Sequence, residues 1–357
     1  MRIGKFERFC ELALPAHSKF LVVGPPGVGK TQVPADVARR LGWDYIPICC
    51  PLTDPSFWMG YPYRNNGTAG FAPYGQIAAA LAASKPTLLV LDEFGAMGET
   101  TTKACLRFVQ FGEVGDKRLP DCVMICAASN DVGHGAGVMG LLEPMKDRFA
   151  TIISVEPHVE DTIAYGLAND WPAWLLAYLQ NSGPGETSPY GALLDWKPTK
   201  NMGRSGATPR GWGEVAVLDK SGLLDFDPEV ICGAVGRGRG LEALAFRDQI
   251  QSLPDINQVL SDPAAAPIPD NPSHRYFVAL GLAAKLNGRN FGVGLTYLNR
   301  LPQAMRAFSV RAARRREYAQ KADGKLPAGY KMIHESVDHT AWAVSQDGRE
   351  IVGTALG

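Results

Sequence analysis

No two cysteines in the sequence are spaced as C-x-x-C, and their number, seven, is odd, so no disulfide frame or thiolate metal site is indicated. Cys49, Cys50 and Cys126 stand in apolar, strand-like runs, where a free thiol acts as a small hydrophobe. Histidine is scarce, six residues scattered along the chain, which argues against a zinc site. Neither sign of charge is in surplus: 36 basic residues stand against 36 acidic ones. Global electrostatics therefore supply neither a nucleic-acid coat nor an attraction to anionic membrane. No apolar run approaches the roughly 18 residues of a membrane span. The first twenty residues contain Glu7 and Glu11 and no long apolar core, so they do not read as a secretory signal. These exclusions point to a cytoplasmic chain. What is present is 357 residues, 46% of them hydrophobic and 20% charged, enough for a sizeable core and, by length, two or three units.

The most informative stretch is Lys19-Phe-Leu-Val-Val-Gly-Pro-Pro-Gly-Val-Gly-Lys-Thr31. An apolar strand over Phe20–Val23 runs into a loop of the form G-x-x-x-x-G-K-[ST], and a helix follows over Lys30–Leu41, stopped by Gly42. Residues Gly24, Pro25, Pro26, Gly27, Val28, Gly29, Lys30, Thr31 and Gln32 form the candidate phosphate cradle. Glycines let backbone N–H groups approach phosphate oxygens, Lys30 puts a point charge on the β- and γ-phosphates, and Thr31 offers a hydroxyl to Mg²⁺. The positive end of the helix dipole adds to the same field.

A second strand is expected over Tyr45–Cys50, and a third, apolar throughout, over Thr87–Leu91 after an alanine-rich helix, Gln76–Ser84. The third strand ends in Asp92-Glu93. An acid directly after a buried strand can hold Mg²⁺, and the next can orient and deprotonate the water that attacks the γ-phosphate. A helix over Thr101–Gln110 and a small hairpin over Gly112–Pro120 precede the fourth strand, Cys122–Ser129, which ends on Asn130, an amide able to bond a γ-phosphate or the attacking water. Glycine-rich 133–140, a helix over Leu141–Lys146, Asp147-Arg148-Phe149 and a fifth strand over Thr151–Val155 complete the series. Arg148 either pairs locally or points to a neighbouring subunit's nucleotide. Strand and helix alternating in this way indicate a parallel sheet whose ligands bind at the carboxyl ends of its strands. Residues 51–73, rich in Pro, Gly and aromatics, fit no regular element; they pack on themselves or contact a substrate or neighbouring subunit.

Gly24-Pro-Pro-Gly-Val-Gly-Lys-Thr31, Leu88-Leu-Val-Leu-Asp-Glu93, Ala127-Ala-Ser-Asn130, Asp147-Arg-Phe149 and Thr208-Pro-Arg-Gly-Trp212 stand in the order and spacing of AAA+ ATPases, and in detail resemble the MoxR-type branch. The run Cys50–Gly60 resembles that branch's segment after strand two, and Gly115–Pro120 its hairpin before strand four. The resemblance implies an α/β P-loop NTPase core of five strands over residues 1–157, a helical lid over 158–252 and, beyond the family pattern, a mainly helical extension over 253–357. By it Lys30 and Thr31 are Walker A, Asp92 and Glu93 Walker B, Asn130 sensor 1, Arg148 an arginine finger acting in trans, and Arg210 sensor 2. ATP and Mg²⁺ are the implied cofactors, with Thr31 and Asp92 toward the metal. The implied activity is ATP hydrolysis by a homo-oligomeric ring, a hexamer, that remodels a partner protein carrying a von Willebrand factor A domain. Two other readings stay open: a nucleic-acid motor or loader on the same core, and an ATP-gated scaffold with little turnover.

Residues 158–252 are read as helical, with one helix over Asp161–Leu179 and another opened by Pro209, which sets Arg210 in its first turn. Trp171, Trp174, Trp196 and Trp212 are expected in that unit's core rather than in a ligand cage. Helices are expected over Leu241–Ile250, Arg275–Lys285 and Leu301–Tyr318. The basic end of the last, Arg311-Ala-Ala-Arg-Arg-Arg316, is read as a solvated or interface face, with a nucleic-acid patch the weaker alternative. Asp347-Gly348 suggests a terminal hairpin over 340–355.

Overall fold

The computed structural model describes residues 1–65, 68–130, 143–182, 190–195, 206–250 and 255–344. Contacts divide the chain into two compact units, Met1–Pro157 and His158–Gly357.

Among the described residues the first unit has nine strands and six helices: α1 (Ile3–Ala13), β1 (Phe20–Gly24), α2 (Gln32–Arg40), β2 (Asp44–Cys49), α3 (Pro55–Met59), β3 (Tyr61–Asn65), β4 (Thr68–Ala72), α4 (Gly75–Leu81), β5 (Thr87–Asp92), α5 (Glu99–Phe111), β6 (Glu113–Val114), β7 (Lys117–Arg118), β8 (Val123–Asn130), α6 (Glu143–Lys146) and β9 (Thr151–Ser154). Five of the strands form one parallel sheet in the order β2-β5-β8-β1-β9, so consecutive strands are joined by crossovers. The central strands β1, β5 and β8 are apolar along their length because helices cover both faces. One cluster on Leu21, Leu89 and Ile125 fills one face, and another on Phe20, Val22, Val90 and Cys126 fills the other. The alternation of residues along each strand between the two clusters is the period of two that a pleated strand imposes.

Two parts of this unit were not legible beforehand. Helix α1 buries Phe6, Cys10 and Leu14, and the Phe6 and Phe9 rings meet Phe20 edge-on at 6.0 and 5.2 Å. The stretch 51–73, read as irregular, contains α3 and an antiparallel ribbon. Asp54 caps α3, its Oδ1 accepting from the N–H groups of Ser56 and Phe57, and β3 pairs with β4 in the register Tyr61↔Ala72, Tyr63↔Gly70. The hairpin expected over 112–120 is present as β6 and β7.

The second unit is helical: α7 (Val159–Ala168), α8 (Ala173–Asn181), α9 (Pro209–Lys220), α10 (Leu223–Phe226), α11 (Val230–Val235), α12 (Arg237–Ile250), α13 (Ile256–Ser261), α14 (Pro272–Lys285), α15 (Phe291–Leu298), α16 (Gln303–Ala322) and α17 (Val337–Val344). The single helix read over Asp161–Leu179 is broken in two. Asp170 takes a left-handed conformation (φ 57°), Trp171 N–H turns back to Gly166 O at 2.7 Å, and Pro172 cannot continue the helix. Trp174 and Trp212 are buried, as expected, and Trp171 packs against the same cluster, whereas Trp196 lies outside the described residues.

The residues read as a lid and those read as an extension share one core, continuous from Ile163 through Leu282 to Trp342. Helix α16 lies against α7, and α14 lies against both α8 and α16. Arg315 Nη1 reaches Asp161 Oδ1 at 3.4 Å, and Ser309 Oγ donates to Ala279 O at 2.7 Å.

At Arg316 the basic run departs from its reading as a solvated or interface face, while Arg315 is exposed. Arg316 is 4% exposed; its guanidinium donates to the carbonyls of Ala283, Ala284 and Leu286, the otherwise orphaned acceptors at the end of α14, and to Tyr330 Oη. Glu317, 1% exposed, accepts from Tyr330 Oη at 2.8 Å and from Ile333 N–H at 2.9 Å. Burial pushes the Glu317 carboxyl up, while those two hydrogen bonds and Arg316 oppose the shift.

Thr340–Val344, expected to begin a hairpin, form the second half of helix α17; the remainder of that hairpin, 345–355, lies outside the described residues. His339 and Trp342 bury on one face, and both rings pack against Phe291, a spacing of three that a helix satisfies and a strand does not.

His339 Nε2 is buried without a hydrogen-bond partner among the described residues. Burial, with smaller contributions from Arg314 and His334, lowers its pKa from 6.5 to about 4. The unfolded chain therefore binds a proton in that interval that the folded chain refuses, so the contribution of neutral His339 is present above pH 6.5 and is lost as pH falls toward 4. His339→Phe, which keeps the ring packing and removes the titration, is expected to flatten the fall in urea midpoint between pH 6.5 and 4; an unchanged slope counts against this assignment.

Candidate active site

Strand order places the candidate residues together. Asn130 at the tip of β8 is in register with Gly24 at the tip of β1, and β5, ending in Asp92, is the neighbour of β8 on its other side. Three polar strand ends thus meet at the carboxyl edge of an otherwise apolar sheet, the edge at which open α/β sheets bind ligands.

The glycines of the loop are needed for geometry. A Cβ on Gly24 would stand 2.3 Å from Val155 O, so only glycine lets β1 turn beside the end of β9. Gly29 is in a positive-φ conformation (94°) that side chains rarely adopt. Lys30 is 8% exposed, and its ammonium donates to Gly24 O at 3.0 Å, Pro25 O at 2.6 Å and Asn130 Oδ1 at 2.8 Å. A buried ammonium ringed by carbonyl and amide oxygens, at the start of a helix with orphaned N–H groups, is an arrangement suited to an anion. Val28 is buried in the cluster shared with α1, and Ile3 of α1 comes close to Gly29, so the N-terminal helix supports the loop from behind.

Thr31 Oγ1 donates to Asp92 Oδ1 at 2.8 Å. A hydroxyl and a carboxylate in contact are hard oxygen ligands of the kind Mg²⁺ takes, with water filling the remaining positions. The residues present therefore fit a Mg²⁺–nucleotide. Gln32, placed by sequence in the cradle, donates its side-chain amide to Asp36 Oδ1 at 2.8 Å.

Glu93 is exposed and in a left-handed conformation (φ 51°, ψ 37°), with its N–H bonded back to Asp92 Oδ1 at 3.0 Å. Such a conformation costs a non-glycine residue about 1–3 kcal/mol and persists only where its surroundings hold it. Here the next residue supplies the hold: Phe94 is buried and stands edge-on to Phe149 at 5.7 Å. Phe149 follows Arg148, which is half-buried at the end of α6, so one aromatic contact ties the loop of Glu93 to the segment of Arg148. That link was missed from sequence, although the phenylalanines that follow Asp92-Glu93 and Asp147-Arg148 were its signal.

Burial pushes the Cys50, Cys105 and Cys126 thiols well above their usual range, which leaves them as packing groups rather than nucleophiles. Burial, then Cys126 and Asp92, raises the Tyr45 hydroxyl to about 12. Among the described residues no group of three or more His, Cys, Asp or Glu is placed to hold a metal by itself. Arg210 belongs to the second unit. It is exposed in the first turn of α9, whose start is fixed by Pro209 and by Thr208 Oγ1 accepting from Gly211 N–H at 3.1 Å.

Residues 20–156 match the family model described as AAA, ATPase family associated with various cellular activities. Over this segment, less than half of the chain, the sequence is similar to an AAA ATPase domain. The five-stranded order and the helices between the strands are those of the AAA+ P-loop NTPase fold, with a helical C-terminal portion. Among solved structures, the chain is similar to the RuvB Holliday junction branch migration motor of Thermotoga maritima, at 15% identity, covering 84% of this chain and 87% of that one with a TM-score of 0.39. A mutant of the same RuvB matches at 16% identity over 72% of this chain and 75% of that one, with a TM-score of 0.40. No curated protein matches the sequence. Among the described residues no helix is long and apolar enough to cross a membrane.

If the left-handed backbone at Glu93 is strained, Glu93→Gly is expected to stabilise the first unit by about 1 kcal/mol while Glu93→Gln leaves it unchanged, read from urea unfolding. Equal midpoints for the two variants would show that no strain is held there.

Proposed function

We propose that the chain hydrolyses ATP with Mg²⁺ and uses the cycle to remodel a partner protein. The observation that carries this reading is the convergence of Lys30, Thr31, Asp92 and Asn130 through direct hydrogen bonds at one sheet edge, with Glu93 next to them. A nucleotide-gated scaffold has no use for a base held at the cost of backbone strain, so Glu93 favours turnover.

In the proposed chemistry, Lys30 exchanges its carbonyl partners for the β- and γ-phosphates, and the N–H groups at the start of α2 take up the remaining charge. Thr31 and Asp92 would hold Mg²⁺, which when bound would neutralise charge developing on the phosphoryl oxygens. Released from Lys30, the Asn130 amide turns to the γ-phosphate or to the attacking water. Glu93 accepts the proton of that water, so the proton ends on its carboxylate as the oxygen–phosphorus bond forms and the bond from the γ-phosphorus to the bridging oxygen breaks, its electron pair leaving with ADP. Arg148 is assigned the role of a cation lent to the neighbouring protomer's nucleotide, and from this a ring follows; a hexamer is the assembly the MoxR resemblance implies. Arg210 keeps the sensor role on the strength of that resemblance alone, as does a partner with a von Willebrand factor A domain.

The nucleic-acid reading loses one of its two supports. It needed the basic run Arg311–Arg316 at the surface, and Arg316 is an internal clamp while Arg315 is paired with Asp161.

Glu93→Gln should bind ATP and lose turnover by several orders of magnitude; hydrolysis at the wild-type rate would refute the role given to the carboxylate. Mixing inactive Lys30→Ala with inactive Arg148→Ala subunits should restore part of the activity, because some interfaces then pair an intact loop with an intact arginine. A null result at every mixing ratio would count against action of Arg148 in trans.

A further inference from the structure

Two side-chain nitrogens in the second unit are buried and have no hydrogen-bond partner among the described residues: Nε of Arg314, on α16, and Nε2 of His339, on α17. Buried polar nitrogens are as a rule matched, so a neighbouring pair of unmatched ones calls for a cause. Neither residue has a part in the chemistry proposed for the first unit.

The local fold brings them together. Arg314 lies one helical turn before Glu317 and Tyr318, so the three share a face of α16. The turn Ile333–Glu335 lies along that face: Ile333 N–H donates to Glu317 Oε2 at 2.9 Å, and the His334 ring stacks on Tyr318 at 6.1 Å with 9° between the planes. Helix α17 begins two residues after this turn, and His339, 6% exposed, is packed inward against Phe291. The charges that act on the His339 ring come from Arg314 and His334, and both lower its pKa.

These cations have no acid set against them. The ion pairs in this part of α16 are Arg315–Asp161 and Arg316–Glu317, and Arg314 has none among the described residues. The Glu317 carboxylate is committed to Tyr330 Oη and Ile333 N–H. Exposure falls from His334 and Tyr318 at the surface through half-buried Arg314 to buried His339, so an ion arriving from solvent meets a donor at each depth.

We infer that Arg314, His334 and His339 form a binding site for a tetrahedral oxyanion of the phosphate class, either the free ion or the phosphate of a small ester. A guanidinium presents its donors as a planar fork that fits two oxygens of such an ion, and each imidazole supplies a further N–H. A carboxylate fits less well, because the fork takes both of its oxygens and leaves less for the imidazoles. The site lies within the second unit and does not rest on the hydrolysis reading.

The test is phosphorus NMR of inorganic phosphate, at constant ionic strength, with the full chain carrying Lys30→Ala so that the phosphate loop of the first unit does not contribute. Saturable binding is expected, weakened about tenfold by Arg314→Gln and about as much by His339→Phe, as the loss of a charge-assisted hydrogen bond implies. Where circular dichroism shows either variant misfolded, Arg314→Lys or His339→Gln replaces it, with a smaller loss in the same direction. Glycerol phosphate binding more tightly than inorganic phosphate assigns the site to an ester, and equal or weaker binding assigns it to the free ion; either result upholds the site. Absence of saturable binding, unchanged affinity in the folded variants, or displacement of phosphate by an equal concentration of acetate would each overturn the proposal. Turnover plays no part in the readout, so failure of the hydrolysis reading leaves the result unaffected.

Discussion

The ammonium of Lys30 is the constraint on which the site depends. A buried cation costs several kcal/mol unless its three donors are matched, and here the match is made by carbonyls of its own loop and by Asn130 from a neighbouring strand. Because β8 pairs with β1 in parallel register from Phe20 through Gly24, the position of the Asn130 amide is set by the sheet and not by a loop. Thr31, next in the chain, ties the same loop to Asp92 on β5. Three strands are thereby connected at their tips by side chains, while the body of each strand is held by apolar packing alone.

The same division between apolar body and polar tip explains how much could be read beforehand. The five central strands were legible because continuous apolar runs ending in Gly24, Asp92 and Asn130 have few other solutions, and their boundaries shift by only a residue or two in the structure. Helix α1 was not, since its pattern of Phe6, Phe9 and Cys10 acquires meaning only when Phe20 is known to lie beneath it. The ribbon at 61–72 escaped for the opposite reason: with Tyr61, Tyr63 and Phe71 all exposed there is no buried face to impose an alternation, and its Pro and Gly residues resemble loop chemistry. The reading of Thr340–Val344 as the start of a hairpin failed because a turn signal, Asp347-Gly348, itself outside the described residues, outweighed the helical spacing of His339 and Trp342.

Site residues were legible by type but not by connection. Asp92 and Glu93 are adjacent in sequence yet sit in different backbone states, Asp92 closing a strand and Glu93 in the left-handed region. What keeps Glu93 there is the Phe94–Phe149 contact, which joins two motifs far apart in the chain and which no local pattern could reveal. Strain at the acid and burial of the ring beside it are two halves of one arrangement, because the aromatic packing offsets the cost of the backbone that aims the carboxylate outward.

The second unit shows how a charge pattern can mislead when its surroundings are unknown. Arg311–Arg316 has the density of a nucleic-acid patch, but the helix turns Arg316 inward, where it serves the carbonyls of Ala283, Ala284 and Leu286 at the end of α14, and Glu317 beside it is spent on Tyr330 and Ile333. A guanidinium has five donors in a fixed fork and suits such a cluster better than an ammonium would. Removing one arginine would leave several helix-end acceptors and a buried carboxylate uncompensated, a larger loss than any exposed ion pair of the unit represents. The most basic stretch of the chain is thus committed in part to holding α14, α16 and the segment around Tyr330 together.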